Sequence, residues 1–444
     1  MLNKNDEYAI EITGMGADGE GVGRIDGCAV FVPYAIQGET VKVKIVKPLK
    51  NYAFGKLLEV IKPSPDRREP TCGVFYLCGG CGLCHMEYSA ELAYKQQKVA
   101  DAVKRIGGID AEIRPIIGSA EIIGYRNKGQ FPVTADGIGF YAPRSHRVIP
   151  IDRCEIQDEK SNEIVRTVKK FMERYSVSPY NEAEHTGDIR CVYTRIARAT
   201  GEAMVCIVTR TKKLPLADKL VEMLDGLGIG IVSVYQNINP ERTNTALGER
   251  EVLLWGKGKI TDKIGDLSFN ISPKSFYQIN SAQTKVLYDE TLKAGGFTGG
   301  ETVLDLYCGI GTITLYAASS VREITGVELL RAAVLDAKEN AALNGITNAA
   351  FLCAAAEDIQ DGIPADAVII DPPRKGCDDR LLKALGKINS PKIIYVSCNP
   401  ATLARDLKAL TSHGYTAEYL QPVDMFPRTP HVETVVLLSK LKSE

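Results

Sequence analysis

The chain has 444 residues, of which 25% are charged and 45% hydrophobic, and its formal net charge is -1. This is the balance of a globular protein with two or three domains, which excludes the disordered and fibrous classes. The N-terminal residues are polar and charged, and no apolar run reaches the roughly 18 residues that a membrane span requires. We therefore expect a cytoplasmic protein, whose overall charge gives no indication of a nucleic-acid partner.

Residues 1–62 are predicted to form a small β-barrel, because short strand-like runs alternate with glycine-rich turns. One stretch of this region is basic and aromatic and lacks acidic residues; its members are Lys42, Lys44, Lys47, Lys50, Tyr52, Phe54 and Lys56. Lysines can contact phosphates and aromatic rings can stack on unpaired bases, so this stretch is a candidate nucleic-acid-binding surface. A lysine-rich strand edge that only keeps the barrel soluble is the alternative.

Residues 63–262 are predicted to form a central, strand-rich α+β domain that follows a linker at Pro63. The segment 87–106 lacks glycine and proline and carries apolar residues at helical spacing, so it predicts a helix that ends at Gly107. From about residue 122 onward strands dominate, with one helix expected over residues 157–175.

The chain contains 12 cysteines, and four of them crowd into thirteen consecutive positions. In a reducing compartment this crowding favours a metal site over disulfides. Cys72, Cys78 and Cys81 are three expected ligands, and Cys154 is the expected fourth, with Cys84 as a local competitor. From the residues alone, an iron-sulfur cluster and a four-cysteine zinc site both fit these spacings.

Residues 263–444 differ in character, since apolar strand-like runs alternate with helical stretches from Val303 onward. This alternation predicts a Rossmann-like parallel sheet with helices on both faces, which binds ligands at the carboxyl ends of its strands. The first strand is followed by Gly309 and Gly311, which let the backbone approach a ligand. Glu328 ends the next strand, where its carboxylate can bind ribose hydroxyls.

The residues after the glycines indicate which cofactor is bound. Ile313 and Thr314 stand where a dinucleotide-binding GxGxxG motif would have its last glycine, so S-adenosylmethionine fits better than NAD. Asp371 ends the fourth strand, and two prolines after it hold its carboxylate at the sheet edge. Arg374 replaces the aromatic residue that methyltransferases of exocyclic amines carry at this point, which disfavours that chemistry.

Cys398 ends the fifth strand at the same predicted edge. A thiolate can add to carbon 6 of a uridine and thereby make carbon 5 nucleophilic toward a sulfonium methyl group. The proton that remains on carbon 5 then requires a general base, and Glu433, just before the last apolar strand, is the candidate. An inert buried thiol is the alternative interpretation of Cys398.

Six motifs extend this pattern along the chain. They are Ser275-Phe-Tyr-Gln-Ile-Asn, Asp305-Leu-Tyr-Cys-Gly, Gly326-Val-Glu, Asp371-Pro-Pro-Arg, Ser397-Cys-Asn-Pro and His431-Val-Glu-Thr. In this order they resemble the RNA uridine-5 methyltransferase family, specifically its bacterial ribosomal branch with an N-terminal TRAM domain. The resemblance covers nearly the whole chain. It implies a multidomain α/β protein with an OB-like TRAM barrel that binds RNA, a central domain with an iron-sulfur site, and a Rossmann-like methyltransferase domain.

The resemblance also implies roles for individual residues. Cys398 would be the nucleophile and Glu433 the base that abstracts the proton. The S-adenosylmethionine site would be lined by Gln278, Tyr307, Glu328 and Asp371, and a four-iron, four-sulfur cluster would be held by Cys72, Cys78, Cys81 and Cys154. A helix near residues 90–118 would pack on the catalytic domain.

The expected reaction is methylation of carbon 5 of a specific uridine in 23S ribosomal RNA, by a monomer without a DNA or membrane partner. Three alternatives stay open: a transfer RNA substrate, a cytosine-5 methyltransferase, and a non-catalytic RNA-binding protein with a cofactor-sensing pocket. Cytosine-5 enzymes usually carry Pro-Cys at the nucleophile, whereas Ser397 precedes Cys398 here. The presence of both Cys398 and Glu433 argues against the non-catalytic alternative.

Overall fold

The structure, a computed structural model, describes residues 2–243, 245–359 and 364–441. Its N-terminal region is a closed five-stranded barrel with strand order β1-β2-β3-β5-β4. The strands are β1 (Glu7–Met15), β2 (Gly21–Ile25), β3 (Cys28–Val32), β4 (Thr40–Pro48) and β5 (Tyr52–Lys62). Val41, Val43 and Ile45 of β4 are fully buried in the barrel core, because alternate side chains of a strand point to the same face.

The outward-facing lysines of β4 are partly neutralised by acidic residues of neighbouring strands. Lys42 forms an ion pair with Glu7 of β1 at 2.9 Å, and the register places Glu59 of β5 opposite Lys42. Both acids lie outside the basic stretch found in the sequence, so the charge of this surface is lower than the stretch alone indicates.

A helix and a short strand follow the cysteine-bearing segment and pack on the C-terminal domain. They are α1 (Tyr88–Ala102), which continues as a π-helical turn over Val103–Gly107, and β6 (Glu112–Ile113). Val99 and Val103 are buried in the same hydrophobic core as Leu304 and Leu403 of that domain.

The central region contains a seven-stranded sheet with the order β13-β12-β11-β10-β7-β8-β9. Its elements are β7 (Lys128–Thr134), β8 (Gly137–Tyr141), β9 (Val148–Pro150), α2 (Glu159–Tyr175), β10 (Ile189–Ile196), β11 (Ala203–Thr209), α3 (Ala217–Asp225), β12 (Ile231–Ile238) and β13 (Arg250–Gly256). The predicted helix at 157–175 is confirmed as α2, which Asp158 caps. The expectation of a single helix is wrong, because α3 is also present. It has only nine residues, too few for its two buried leucines, Leu220 and Leu224, to stand out as a helical pattern.

The C-terminal region begins with a hairpin and contains an eight-stranded sheet with the order β18-β17-β16-β19-β20-β22-β21-β6. Its elements are β14 (Ile260–Ile264), β15 (Leu267–Ile271), α4 (Ser281–Gly295), β16 (Thr302–Leu306), α5 (Thr312–Ala318), β17 (Glu323–Glu328), α6 (Arg331–Leu343), β18 (Ala349–Cys353), β19 (Ala367–Ile370), α7 (Asp379–Ile388), β20 (Lys392–Ser397), α8 (Pro400–Ser412), β21 (Tyr415–Val423) and β22 (Glu433–Lys440). Strands β16 to β20 are parallel, whereas β22 is antiparallel to both of its neighbours. The predicted parallel sheet is therefore confirmed.

The middle strands of this sheet are buried on both faces. Val368 and Ile370 of β19 belong to one hydrophobic core, and Ile369 of the same strand belongs to another. The sequence of a strand that is buried on both faces is a continuous apolar run. These strands could therefore be predicted from the sequence. None of the helices that the structure describes has the length and hydrophobicity to cross a bilayer.

Candidate active site

Three of the predicted site residues meet at one edge of the C-terminal sheet. Strands β16, β17, β19 and β20 are parallel, and Leu306 at the end of β16 pairs with Ile370 at the end of β19. Their carboxyl ends therefore lie side by side. Glu328 is the last residue of β17, and Asp371 and Cys398 follow β19 and β20 directly. Ligands of such sheets bind at this edge.

Glu328 is held in place by the glycine loop that follows β16. Its carboxylate accepts hydrogen bonds from the Gly309 amide at 3.1 Å and from the Leu330 amide at 2.8 Å. Gly311 has a positive φ of 81°, and a Cβ atom added there would lie 2.9 Å from the ring of Phe351. Only glycine fits this position, so the tight loop depends on it.

Gln278 and Tyr307 reach the region with other contacts. The backbone carbonyl of Gln278 accepts a hydrogen bond from the Asn127 side chain at 2.9 Å, and Gln278 itself is buried just before α4. The Tyr307 hydroxyl donates to Glu357 at 2.8 Å. Tyr307 lies beside the strand ends because it follows β16 directly, but the contacts of both residues run to Asn127 and Glu357 rather than to the other predicted site residues.

Cys398 and Glu433 come together through the pairing of β20 with β22. Ser397 is paired with Thr434 in the antiparallel register, and the next pair in that register is Cys398 with Glu433. Side chains directly opposite each other share a face, with Cβ atoms about 5 Å apart. Glu433 is 4% exposed, so the carboxylate lies in the interior, next to the thiol.

Burial and like charges raise the pKa values of these groups. Burial raises the pKa of Asp371 to about 7, and burial followed by the Asp371 charge raises the pKa of Glu433 well above its ordinary value. Burial, and then the Glu433 and Asp371 carboxylates, raise the pKa of Cys398 to about 12. The Arg374 guanidinium opposes the shifts of Cys398 and Glu433. The unliganded site therefore holds a neutral thiol.

The carboxylates at this edge suit a cationic cofactor. Burial raises the pKa of Asp305 to about 7, and the charges of Asp371 and Glu328 add to the shift. Within the described ranges, the buried Oδ1 atom of Asp305 has no hydrogen-bond partner. Acidic groups that repel one another in this way are stabilised when a positive charge approaches. The sulfonium of S-adenosylmethionine fits this requirement.

Sequence reasoning gave no role to two residues beside the site. Arg374 is exposed, and its charge acts on both Cys398 and Glu433; its position in the Asp-Pro-Pro-Arg motif was the available signal. Tyr288 of α4 is fully buried and its hydroxyl shares a hydrogen bond with Thr312 at 2.8 Å. It lies close enough to Asp371 and Glu433 for their charges to raise its pKa further above the value that burial gives. No sequence signal pointed to Tyr288.

A buried charge network anchors the loop between β21 and β22, which ends at Glu433. The Lys95 ammonium of α1 lies 2.7 Å from Glu91 and 2.7 Å from Asp424, and all three side chains are fully buried. Lys95 also donates to the carbonyl of Phe426 at 3.1 Å. An early helix of the chain therefore positions the loop that carries the candidate base.

The predicted cysteine ligands share one cavity of about 380 Å³. Its lining includes Cys72, Cys78, Cys81, Cys84 and Cys154. Burial raises the pKa of Cys154 to about 11 and raises the pKa of Cys72 and Cys78 as well. A hydrogen bond between Cys81 and Cys84 raises the pKa of Cys81 and lowers that of Cys84. Buried neutral thiols of this kind are ready to bind a metal when they lose their protons.

The five thiols do not form a site for a single ion. Among the residues that the structure describes, no group of three or more His, Cys, Asp or Glu side chains is arranged to hold one metal ion. A four-cysteine zinc site needs four sulfurs at about 2.3 Å from one point, so the metal site expected from the sequence is not shown by the described residues.

Fold and site together define an α/β methyltransferase domain joined to an RNA-binding barrel. The family model described as tRNA (Uracil-5-)-methyltransferase matches residues 257–441, and that of the TRAM domain matches residues 2–58. An uncharacterized RNA methyltransferase of Clostridium tetani is 46% identical and covers 99% of this chain and 97% of its own length. One from Halalkalibacterium halodurans is also 46% identical, with 98% of each chain covered.

A solved structure is similar over nearly the whole chain. It is the Pyrococcus abyssi tRNA (uracil-54, C5)-methyltransferase in complex with S-adenosyl-L-homocysteine, with a TM-score of 0.81, 31% identity, and coverage of 97% of this chain and 99% of that one. The present chain therefore belongs to the family of S-adenosylmethionine-dependent RNA uracil-5 methyltransferases. Its barrel is a TRAM domain, and its substrate is an RNA.

Proposed function

We propose that this enzyme methylates carbon 5 of one uridine in 23S ribosomal RNA through a covalent intermediate on Cys398, with Glu433 as the base. The observation that carries the proposal is the register of β20 and β22, in which Ser397 pairs with Thr434 and Cys398 follows opposite Glu433. A thiol and a carboxylate held opposite each other supply the nucleophile and the base that methylation at carbon 5 requires.

The first step is the addition of Cys398 to the base. Its pKa of about 12 means that the thiol is neutral in the unliganded enzyme. The thiol loses its proton to solvent as the flipped-out uridine enters, and its sulfur forms a bond to carbon 6. The electron pair of the double bond between carbons 5 and 6 moves toward carbon 5 and the oxygen on carbon 4. The Arg374 charge favours the thiolate.

Bound S-adenosylmethionine supplies the methyl group as an electrophile. Carbon 5 of the adduct then carries both the methyl group and its original proton. Glu433 removes this proton, the double bond re-forms, and Cys398 leaves as a thiolate. Because burial raises the pKa of Glu433, its carboxylate is a stronger base than an exposed glutamate.

The proposed cofactor contacts come from four positions around the sheet edge, Gln278, Tyr307, Glu328 and Asp371. Glu328 is suited to the ribose hydroxyls, because it ends β17 beside the glycine loop that bonds to its carboxylate. Asp371 adds a second carboxylate close to Cys398. Its negative charge favours a cationic group at this point.

The four-iron, four-sulfur cluster is proposed to be held by Cys72, Cys78, Cys81 and Cys154. The support is that these thiols line one cavity and that the cysteine spacing resembles that of the ribosomal branch of the family. Cys84 lines the same cavity, and its hydrogen bond to Cys81 makes it a neighbour of the cluster in this proposal.

Ribosomal RNA is proposed as the substrate because a TRAM barrel together with these cysteines resembles the ribosomal branch of the family. The second candidate is a transfer RNA. It is favoured by the similarity to the Pyrococcus abyssi protein, which is named a tRNA (uracil-54, C5)-methyltransferase. The two candidates are distinguished by incubating the enzyme and labelled S-adenosylmethionine with a 23S ribosomal RNA transcript and, separately, with bulk transfer RNA. The RNA that acquires labelled 5-methyluridine is the substrate.

The catalytic roles are tested with Glu433→Gln and Cys398→Ala. Glu433→Gln should accumulate a protein–RNA adduct that survives denaturing electrophoresis, because the thiol cannot leave until the proton does. Cys398→Ala should form no adduct and no 5-methyluridine while still binding S-adenosylhomocysteine. Matched controls are Glu418→Gln, on the exposed side of β21, and Cys353→Ala, an exposed thiol. Normal turnover by Glu433→Gln would eliminate Glu433 as the base.

The cluster is tested by anaerobic purification and metal analysis. The native protein should be brown and contain about four iron atoms per chain, and Cys154→Ser should lose iron and colour. Cys206→Ser, at a fully buried position in the central sheet, should retain both. A colourless native protein without iron would contradict the assignment.

A further inference from the structure

Two cations lie directly opposite each other on neighbouring strands of the central sheet. Lys128 of β7 pairs with Arg195 of β10 in the antiparallel register, so both side chains are on one face with Cβ atoms about 5 Å apart. The other face of β10 is covered by α2, where the Thr194 hydroxyl shares a hydrogen bond with Ser161 at 2.8 Å. Arg126, two residues before Lys128, adds a third positive charge that acts on Lys128. Like charges placed in this way repel each other and destabilise a sheet.

No carboxylate of the described residues balances these charges. None of the three cations forms an ion pair there, and the Lys128 ammonium has no hydrogen-bond partner among the same residues. Arg195 is only 4% exposed. Its guanidinium donates to the carbonyl of Ser275, but its buried Nε has no partner within the described ranges. Burial, and then the charges of Arg195 and Arg126, lower the pKa of Lys128 to about 8. The three cations therefore form a positive site that an anion would stabilise.

The segment between β15 and α4 connects this site to the catalytic residues. Arg195 contacts the segment at the Ser275 carbonyl. Five residues further on, the Asn280 side chain donates to the carbonyl of Met425 at 3.2 Å. Met425 belongs to the loop between β21 and β22 that leads to Glu433. One short segment thus contacts both the cations and the loop that carries the candidate base.

We propose that these three cations bind a backbone phosphate of the RNA strand that brings the target uridine to Cys398. The proposal rests on the proposed function and adds a place in the central region where the strand is held. Gln130, two positions beyond Lys128 on the same face, is exposed, so a phosphate can reach the cations from solvent. Guanidinium groups bind phosphates through paired, charge-assisted hydrogen bonds. The phosphate supplies the negative charge that the free enzyme lacks at this point.

The carboxylate of S-adenosylmethionine is a second anion that the enzyme binds. The carboxylates proposed to contact the cofactor, Glu328 and Asp371, lie at the carboxyl ends of the C-terminal strands. The cations lie instead on the central sheet, which favours the RNA phosphate. Measurements with RNA and with the cofactor product separate the two anions.

The first test measures RNA binding by the full-length protein without cofactor. The probe is a fluorescein-labelled oligouridylate, followed by fluorescence anisotropy at several salt concentrations. Lys128→Met removes the charge but keeps most of the side-chain volume. It should weaken binding about tenfold or more and reduce the slope of log K against log salt by about 0.7. Lys128→Arg keeps the charge and should bind as the wild type does, and Arg126→Gln should lower the slope through a different cation.

The second test measures thermal stability, for which an anion site and a purely structural lysine predict opposite signs. Removing one of two opposed cations relieves their repulsion, so Lys128→Met should raise the melting temperature by about 1–3 °C in phosphate-free buffer. Inorganic phosphate should raise the melting temperature of the wild type more than that of Lys128→Met. Lys263→Met, at an exposed position on β14, should respond to phosphate and bind RNA as the wild type does.

Calorimetry with S-adenosylhomocysteine, which Lys128→Met should bind normally, completes the comparison. A loss of this affinity with unchanged oligouridylate binding would assign the cations to the cofactor carboxylate. A lower melting temperature with unchanged RNA affinity would make Lys128 a structural residue. Either result overturns the proposal. A wild-type enzyme that methylates neither ribosomal nor transfer RNA would instead refute the proposed function, and since binding and melting require no methyl transfer, the two kinds of failure can be told apart.

Discussion

Replacing Lys95 with methionine removes one of two cations from the buried network that anchors the loop before Glu433; the other, Arg428, lies 3.5 Å from Glu91. Methionine preserves most of the volume of the side chain and its helix propensity. The substitution leaves Glu91 and Asp424 facing each other without the ammonium that lies 2.7 Å from each. Both carboxylates are fully buried, so solvent cannot replace the lost partner.

The expected loss of stability is large for a single substitution. Removal of one partner from a buried ion pair costs about 3–5 kcal/mol, and Arg428, which stays 3.5 Å from Glu91, offsets part of this loss. Lys285 and Asp289 provide a matched comparison, since their N–O distance is also 2.7 Å but both side chains are about half exposed. Lys285→Met should cost less than about 1 kcal/mol. Because the N–O distances are equal, a difference between the two variants in the loss of stability reports the effect of burial.

The loss in Lys95→Met should depend on pH. Burial raises the pKa of Glu91, and the charge of Lys95 partly opposes this shift. Without Lys95 the folded-state pKa of Glu91 rises further above its value in the unfolded chain. The destabilisation is therefore greatest at high pH and declines as pH falls through the raised folded-state pKa, because the protonated carboxyl needs no cation.

Hydrogen exchange measured by mass spectrometry reports the effect locally, which suits a protein with several domains. Amides of residues 424–431 should exchange faster in Lys95→Met than in the wild type. In Lys285→Met the increase in exchange rate should be much smaller. The triple variant Glu91→Gln, Lys95→Met, Asp424→Asn removes every charge of the trio and should recover most of the protection. If the amides of this loop exchange as slowly in Lys95→Met as in the wild type, the network does not anchor the loop.

Two further predictions concern the site itself. Because burial raises the pKa of Glu433 well above its ordinary value and that of Cys398 to about 12, the single-turnover rate at saturating RNA and cofactor should rise between roughly pH 6 and 9. Arg374→Gln should move that rise to higher pH, while the exposed neighbour Lys375→Gln should not; a pH-independent rate would contradict the reasoning. Glu328→Gln should weaken S-adenosylhomocysteine binding about tenfold or more by calorimetry. Glu323→Gln, at the exposed opposite end of β17, should bind normally, and equal affinities of the two variants would remove Glu328 from the cofactor site.

The elements that local chemistry decides could be predicted from the sequence. The strands of the C-terminal sheet are apolar runs because both of their faces are buried, and α2 begins at Asp158, a good N-cap. The residues that end these strands were identified for the same reason, since a parallel sheet aligns its carboxyl ends. Glu328, Asp371 and Cys398 could therefore be placed together from their positions along the chain.

Contacts between distant parts of the chain could not be predicted from the residues alone. Glu433 faces Cys398 because β22 inserts antiparallel beside β20, and no local pattern specifies that insertion. The ion pair of Lys42 with Glu7 likewise depends on barrel closure. Tyr288 reaches the site from a helix whose apolar pattern resembles that of any packed helix. Such contacts are set by tertiary packing rather than by propensity.

The loop between β21 and β22 explains why these distant parts belong to one catalytic unit. The Arg428 carbonyl accepts hydrogen bonds from the amides of Gly82 and Leu83, each at 3.0 Å, within the cysteine-bearing segment. Lys98 of α1 donates to the carbonyl of Pro430 at 2.8 Å on the way to Glu433. A general base must stay within hydrogen-bonding reach of the proton it removes. The position of Glu433, the proposed base, therefore depends on the cysteine-bearing segment and on α1 together. If the proposal holds, disorder in either segment should slow release of the methylated RNA before it weakens cofactor binding.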